Sequence, residues 1–289
     1  MGSTTRKKLN TRPKRSLGQN FLVDVSVALK VVDALNVARS DYVIEVGPGR
    51  GALTGALAKR SARLTAIEMD DILAPELARQ FYRDSTVTIV HDDALEIDLS
   101  ALVKPDVPYK MVGNLPYNVA SPIIRRFLTA AHRPELMVVM LQREVAESMA
   151  ATPGNMTYLS VEVQLRASVD LRFQVHPTAF QPEPKVTSTV VALTPHVRPP
   201  LELDSEERFL KLVRAGFSAR RKQLHNSLSR GLAPKQQLEA IVNVPAAVQA
   251  MLQASGIDGK RRAQTLSLEE WAALYRAWPN PGSGQGAGQ

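Results

Sequence analysis

The chain has 289 residues, of which 44% are hydrophobic, so we expect a globular protein with one large domain and a smaller one. It contains no cysteine, which excludes disulfides and cysteine-based zinc sites and fits a reducing, cytoplasmic location. No apolar run approaches membrane-spanning length, and the N-terminus lacks the apolar segment of a secretory signal.

The formal net charge of +8 is concentrated in two stretches that contain no acidic residue, 1–15 and 214–230. Taken alone, either stretch reads as a solvated tail or a solvated helix face. Taken together, two acid-free basic stretches favour a polyanionic partner such as nucleic acid.

Along the chain, a flexible basic arm over residues 1–15 precedes a predicted helix that begins at about Asp24, a typical N-cap, and ends at Asn36. Short apolar strands then alternate with helices. The predicted strands are 42–46, 63–69, 86–90, 109–113 and 135–141, and the predicted helices between them are 52–59, 72–81 and 119–130. This alternation predicts an α/β domain with a doubly wound, mostly parallel, Rossmann-like sheet.

The composition changes after a last predicted strand at 186–193, where a proline-rich linker covers 194–200. Beyond it the pattern is helical only, with predicted helices at 206–217, 220–228, 246–253 and 268–278. Residues 279–289 are rich in Gly, Ser and Gln and are expected to be disordered. The predicted organisation is an arm at 1–15, an α/β domain at 16–195, a small all-helical domain at 200–278 and a tail at 279–289.

Glycines and carboxylates follow the predicted strands at their carboxyl ends, where doubly wound sheets bind ligands. Residues 45–51, Glu-Val-Gly-Pro-Gly-Arg-Gly, end one strand and open a helix, so a ligand can approach the backbone N–H groups closely. Glu68 ends the next strand, where it can bind ribose hydroxyls. These features suit NAD as well as S-adenosylmethionine, because Gly47 and Gly49 also satisfy a dinucleotide fingerprint.

Three features favour S-adenosylmethionine over NAD. Gly51 extends the glycine pattern, and Asp93 follows the third strand, where a carboxylate can accept a hydrogen bond from an adenine amino group. Asn114-Leu115-Pro116-Tyr117 follows the fourth strand, where the methyl acceptor must sit. Asp92 is the weaker candidate for the adenine contact.

The 114–117 stretch suits methylation of a nucleobase amino group. The Asn114 side-chain oxygen and the Leu115 carbonyl can accept hydrogen bonds from an exocyclic amine, Pro116 fixes the backbone, and Tyr117 offers a ring on which a base can stack. The alternative is a simple strand-to-helix turn with a buried tyrosine.

With these residues in place, the chain resembles the ribosomal RNA small-subunit adenine N6,N6-dimethyltransferases of the kasugamycin-sensitivity type. The resemblance extends over roughly residues 14–275. The motifs that carry it lie in order at 14–22, 43–54, 66–70, 93–94, 114–117, 180–186, 217–222 and 226–228. It implies a class I methyltransferase domain followed by a helical domain that docks on RNA.

The resemblance also implies an activity and a cofactor site. The expected reaction is the transfer of two methyl groups to each of two adjacent adenosines near the 3′ end of small-subunit (16S) rRNA, with a role in small-subunit biogenesis. The residues expected to contact S-adenosylmethionine are Asn20, Leu22, Gly47, Glu68, Asp93 and Asn114, and Gly49 belongs to the same glycine loop.

Substrate contacts are expected at two further places. Phe180 precedes Pro182 and Pro184, which argue against a regular strand, so we expect an exposed ring that sandwiches the flipped base together with Tyr117. Arg220, Arg221 and Lys222 are expected to bind RNA. The chain departs from the family pattern at Ala219, at His225 and near Tyr158, in parts expected to meet RNA or to pack the domains.

No metal is expected, because the five histidines are scattered without ligand spacing. Ser188 has no His or Asp context that suggests a catalytic triad. A large-subunit rRNA methylase of the macrolide-resistance type, a non-catalytic assembly factor and an NAD oxidoreductase remain as alternatives. We expect a monomer whose substrate is an assembled ribosomal particle.

Overall fold

The computed structural model describes residues 18–61, 63–233 and 243–279. The predicted basic arm, and the predicted tail apart from Pro279, lie outside these ranges. The chain divides into two compact units, one made of residues 1–147 and 167–195 and the other of residues 148–166 and 196–289.

The first unit is built on a seven-stranded sheet with helices connecting its parallel strands. The strands of the first unit, which include two outside this sheet, are β1 (Phe21–Leu22), β2 (Tyr42–Val46), β3 (Arg63–Glu68), β4 (Val87–His91), β5 (Tyr109–Asn114), β6 (Leu136–Gln142), β7 (Ala167–Val175), β8 (Phe180–Gln181) and β9 (Ser188–Pro195). Its helices are α1 (Val25–Ala34), α2 (Ala52–Leu57), α3 (Leu73–Phe81), α4 (Leu99–Leu102), α5 (Ala120–Thr129) and α6 (Arg143–Met149), the last of which ends just inside the second unit.

The strand order in the large sheet is β4-β3-β2-β5-β6-β9-β7. Strands β2 to β6 pair in parallel, and β9 runs antiparallel to both β6 and β7. All five residues of β2 are buried, which explains why its sequence is apolar apart from Glu45. The order reverses at β2, which pairs with β3 on one side and β5 on the other, so a crevice forms beyond the carboxyl ends of these strands.

The strands β1 and β8 form a separate two-stranded sheet in which Phe21 pairs with Gln181 and Leu22 with Phe180. It is followed by helix α1, which Asp24 caps by accepting hydrogen bonds from the backbone N–H groups of Ser26 (2.8 Å) and Val27 (3.3 Å). This cap agrees with the N-cap predicted at Asp24.

The second unit is helical in its described residues and has its own core. Its helices are α7 (Tyr158–Gln164), α8 (Glu206–Gly216), α9 (Leu224–Gly231), α10 (Val244–Ala254) and α11 (Leu268–Arg276). Trp271 and Phe209 are fully buried at the centre of this core. Helix α11 begins with a capping box in which Ser267 accepts from the Glu270 N–H and the Glu270 carboxylate accepts from the Ser267 N–H.

Two differences from the sequence prediction concern the domain boundary and the start of helix α9. Residues 148–166 belong to the helical unit, whereas a continuous α/β domain was predicted over 16–195, because Met156, Val161 and Leu165 are buried in the helical core. Helix α9 begins at Leu224 and not at residue 220, since residues 217–219 form a 3₁₀ turn instead. Arg220, Arg221 and Lys222 therefore lie on an exposed connection between helices.

Candidate active site

A cavity of about 290 Å³ opens at the carboxyl ends of the parallel strands in the first unit. The loop after β2, the ends of β3 and β5, and the residues that follow β4 contribute to its walls, as does the segment 18–22. The predicted site residues that line it are Asn20, Leu22, Gly47, Gly49, Glu68, Asp93, Asn114, Leu115, Pro116 and Tyr117.

The glycine loop after β2 brings bare backbone to the cavity. Gly47 and Gly49 have positive φ angles of 68° and 56°, which glycine adopts without strain. A Cβ on Gly49 would lie 2.9 Å from Cδ1 of Phe21, so this position has no room for a side chain. Glycine is therefore required here by both conformation and space.

Glu68 is fixed beside that loop. One carboxylate oxygen accepts from the Gly49 N–H at 2.9 Å, and the other accepts from the Asp70 N–H at 3.0 Å. Burial raises the pKa of Glu68, although these N–H donors favour the charged form. Each carboxylate oxygen keeps a second lone pair with which to accept from a ligand hydroxyl.

Asn114 is the last residue of β5, and its side chain is hydrogen-bonded to the 18–22 segment. Its Nδ2 donates to the backbone carbonyl of Asn20 at 2.9 Å, which orients the side-chain oxygen as the remaining acceptor. Three residues later, the Tyr117 hydroxyl lies 2.8 Å from the Ser188 Oγ at the start of β9. Burial raises the pKa of Tyr117. The turn is thus tied both to the 18–22 segment and to the sheet.

The 18–22 segment is held over the cavity by several contacts. The Gln19 Nε2 donates to the Asp70 carboxylate at 2.9 Å, and the Phe21 ring lies against Gly49. Asp70 also caps helix α3, because its other carboxylate oxygen accepts from the N–H groups of Ile72 (2.9 Å) and Leu73 (3.2 Å).

A buried acid lies on the strand beneath the glycine loop. Glu45 on β2 is fully buried, and its carboxyl oxygens have no hydrogen-bond partner in the part of the chain that the structure describes. Burial, with a smaller contribution from the nearby Glu68 charge, raises the pKa of Glu45 to about 8 against the opposing effect of Thr54. Glu45 is therefore largely neutral at pH 7.

Asp93 lines the cavity, and one of its carboxylate oxygens accepts from the Leu95 N–H at 2.8 Å. Asp92, the weaker candidate, lines it as well. The cavity lining does not separate the two, because both follow β4 directly.

Phe180 does not behave as expected. The residue is only 3% exposed, is buried in the core with Leu22 and Val31, and does not line the cavity. The expectation of an exposed stacking ring is wrong, because β8 pairs with β1 and turns Phe180 into the core. The prolines that argued against a strand come after this short pairing.

Gln19, Arg50, Asp70 and Ser188 were not predicted as site residues. Gln19 and Arg50 line the cavity, Asp70 accepts from Gln19, and Ser188 is hydrogen-bonded to Tyr117. Gln19, Arg50 and Asp70 lie inside the motifs at 14–22, 43–54 and 66–70, which are the sequence signal that points to them. Ser188 was considered only as a nucleophile, and its partner is 71 residues away in the chain. No local pattern reveals such a contact.

Among the described residues, no group of three or more acidic or histidine side chains is placed to hold a metal ion. Within the same ranges, no helix is long and apolar enough to cross a membrane.

The sheet order, the antiparallel β9 and the cavity beyond β2 and β5 define a class I methyltransferase fold. Solved structures of RNA-modifying methyltransferases share it. A crystal structure of the 23S rRNA methyltransferase ErmE matches with a TM-score of 0.68 and 26% identity, over 90% of this chain and 99% of that one. A dimethyladenosine transferase from Plasmodium falciparum matches with a TM-score of 0.73 and 24% identity, over 88% and 95%.

Sequence comparison narrows this class to one family. The model of the ribosomal RNA adenine dimethylase family matches residues 10–274. Proteins named ribosomal RNA small subunit methyltransferase A are 40% identical in Dehalococcoides mccartyi, over 91% of this chain and 87% of the relative, and 42% identical in Geobacter metallireducens, over 92% and 95%. The chain belongs to the ribosomal RNA adenine dimethylase family.

Proposed function

We propose that this enzyme transfers methyl groups from S-adenosylmethionine to N6 of two adjacent adenosines near the 3′ end of small-subunit rRNA. The products are N6,N6-dimethyladenosines, and the reaction belongs to small-subunit biogenesis. One observation carries the proposal: the amide-bearing turn at Asn114 and the glycine loop with Glu68 line the same cavity.

The cavity residues suit S-adenosylmethionine. The glycine loop brings bare backbone to the cavity, because Gly47 and Gly49 both line it and neither carries a side chain that would fill it. We assign the ribose hydroxyls to Glu68 and the adenine amino group to Asp93, and further cofactor contacts to Asn20, Leu22 and Gly47. The bound cofactor supplies an electrophilic methyl group on a sulfonium sulfur.

The chemistry of the acceptor assigns Asn114 and Leu115 their roles. Adenine N6 is a weak nucleophile, because its lone pair is delocalised into the ring. If the Asn114 side-chain oxygen and the Leu115 carbonyl accept hydrogen bonds from the two N–H groups of N6, the nitrogen becomes more tetrahedral and its lone pair is directed at the methyl group. The same acceptors stabilise the positive charge that develops on N6.

The remaining contribution to catalysis is the positioning of the base against the methyl group. In well-oriented intramolecular reactions, positioning lowers the activation free energy by roughly 7–11 kcal/mol. A carbon–nitrogen bond forms as the carbon–sulfur bond breaks, and the methylated N6 then loses a proton to water. The acidity of methylated N6 removes the need for a general base. Pro116 fixes the turn, and the Tyr117 ring stacks on the flipped base, an interaction worth roughly 1–3 kcal/mol.

We assign RNA docking to the helical unit, with Arg220, Arg221 and Lys222 as phosphate contacts. These three side chains are exposed and lie on a stretch without acids. The substrate we infer is an assembled small subunit in the cytoplasm, bound by a monomer. The support is the presence of two basic stretches far apart in the chain, which indicates a large footprint.

A large-subunit target is the alternative. ErmE, a 23S rRNA methyltransferase, shares the fold at 26% identity, whereas the small-subunit relatives share about 40%. The higher identity favours the small subunit. A non-catalytic assembly factor would not need Glu68, Asp93 and Asn114 around one cavity.

The test is methyl transfer from labelled S-adenosylmethionine to small ribosomal subunits that lack the modification, followed by nucleoside analysis. Isolated rRNA and large subunits are assayed in parallel. We expect dimethyladenosine near the 3′ end of the small-subunit rRNA, formed faster on the particle than on isolated RNA. Transfer to large subunits alone, or cofactor binding without transfer to any RNA, would refute the proposal.

A further inference from the structure

The two-stranded sheet that holds the 18–22 segment in place is too short to do so alone. Strands β1 and β8 have two residues each, and an isolated two-stranded pair of that length is unstable in water. All five residues of the segment nevertheless line the cavity. Side-chain contacts must therefore fix the segment against the glycine loop.

Arg50, in that loop, contacts both strands of this short sheet. Its guanidinium carbon lies 4.4 Å from the centroid of the Phe21 ring, within the range of a cation–π interaction. Its Nη1 donates to the side-chain oxygen of Gln181 at 3.2 Å, and Gln181 is the residue paired with Phe21. Phe21 also contacts Gly49 directly, so it lies between the glycine loop and the Arg50 side chain.

We propose that Arg50 is a positioning residue that holds the 18–22 segment closed over the cofactor cavity and thereby sets how long the cofactor remains bound. This inference rests on the proposed cofactor site. Arg50 acts through Phe21 and Gln181, so its loss opens the segment without removing Glu68, Asp93 or Asn114.

The experiment uses the full-length protein and S-adenosylhomocysteine as the probe. Arg50→Met keeps the aliphatic stem but removes the charge and the donors, and Arg50→Lys keeps the charge but loses the planar guanidinium. Gln181→Ala removes only the hydrogen bond. Arg83→Met is the matched control, because Arg83 also lies over an aromatic ring, that of Tyr82, at 5.2 Å, but does not line the cavity.

Stopped-flow displacement measures the dissociation rate of the probe. We expect Arg50→Met to release it about 5- to 30-fold faster, the change expected from losing a partly desolvated cation–π contact with a hydrogen bond. Arg50→Lys should fall between that variant and the wild type, and Arg83→Met should match the wild type. Gln181→Ala should have no further effect in the Arg50→Met background, and the KM for the methyl donor should change more than kcat.

Deuterium uptake by the peptide covering 18–24, without ligand, tests the same idea independently of the cofactor. We expect faster uptake in Arg50→Met and unchanged uptake in Arg83→Met. Equal uptake and equal release in the two variants would overturn the role of Arg50. A wild-type protein that does not bind the probe would instead overturn the cofactor site, while the exchange result would still report on Arg50.

Discussion

Asn114 uses the two atoms of its side-chain amide in different directions. The nitrogen donates to the Asn20 carbonyl, and the oxygen is the atom that accepts from the adenine N6 amine in the function we propose. We predict that Asn114→Ala lowers kcat by about 10²- to 10³-fold or more, the range found when a preorganised hydrogen-bonding group is removed from a developing charge. Single-turnover methyl transfer to small subunits measures this loss.

Asn155→Ala is a matched control, since Asn155 is exposed on a loop of the helical unit. It should transfer methyl groups at the wild-type rate. Asn114→Ala should keep the wild-type thermal unfolding profile and bind the cofactor more weakly, because the contact to Asn20 is lost. Wild-type turnover in Asn114→Ala would exclude the proposed role.

Tyr117 and Ser188 should act as one unit. The hydroxyl–hydroxyl contact of 2.8 Å fixes the plane of the Tyr117 ring, and Ser188 is fully buried at the start of β9. We predict that Tyr117→Phe and Ser188→Ala each lower kcat by about 3- to 10-fold, the equivalent of a hydrogen bond worth about 1 kcal/mol. The double variant should be no slower than either single one.

This double-mutant cycle is measured as kcat on small subunits, together with the affinity for S-adenosylhomocysteine, which should not change. Ser188→Thr retains the hydroxyl and should recover part of the rate. Additive losses in the double variant would show that Ser188 does not act through Tyr117.

At the scale of the element, strand β2 carries Glu45, an acid whose ionisation destabilises the folded state. The pKa of Glu45 rises from its ordinary value of 4.5 to about 8 because the group is fully buried. Between these pH values the unfolded chain releases a proton that the native state retains, so the free energy of unfolding falls as the pH rises. The predicted fall is on the order of a few kcal/mol.

Glu45→Gln replaces the titrating carboxyl group with an amide. The free energy of unfolding should therefore depend less on pH between about pH 5 and pH 8. Urea denaturation at a series of pH values measures it. Glu202→Gln, at an exposed position, should keep the wild-type slope. A wild-type slope in Glu45→Gln would mean that Glu45 is charged in the folded protein.

Strands with a nearly continuous apolar or β-branched sequence were predicted well, and strands that mix apolar with charged residues were not. Strand β2 is buried throughout and is apolar apart from Glu45. The edge strand β4 was predicted because Val87, Ile89 and Val90 are β-branched. Strand β7, at the other edge, carries Asp170 and Arg172 among mostly exposed or half-exposed residues, so no strand was predicted there. Helix α7 was missed as well, in a segment that interrupts the α/β unit and contributes to the helical core.

The same distinction applies to the site. Glu68, Asp93 and Asn114 could be placed together because parallel strands bring their carboxyl ends to one edge. The burial of Phe180 depends on pairing with Leu22, far away in the chain, and the Tyr117 anchor depends on Ser188. Such contacts follow from the folded arrangement and not from any local pattern.

At the scale of the whole molecule, the excess of positive charge suits the polyanionic partner that we propose. The net charge is +8, and the helical unit presents Arg220, Arg221 and Lys222 on an exposed connection. Replacing these three residues with glutamine should weaken RNA binding at least about 10-fold and reduce the slope of log affinity against log salt by roughly 2–3, if each contacts one phosphate. Cofactor affinity should not change, because none of the three lines the cavity.

A control of equal charge separates a local contact from an effect of net charge. It replaces three exposed cations of the α/β unit with glutamine: Arg39, Lys59 and Arg83. Both triple variants lose three charges, so long-range attraction weakens equally, and the difference between them isolates direct phosphate contacts. Binding to small subunits is measured from about 50 to 200 mM salt, the range over which phosphate contacts have a large effect. Equal salt slopes in the two variants would mean that Arg220, Arg221 and Lys222 contribute only to the long-range electrostatic attraction. Other residues would then make the phosphate contacts.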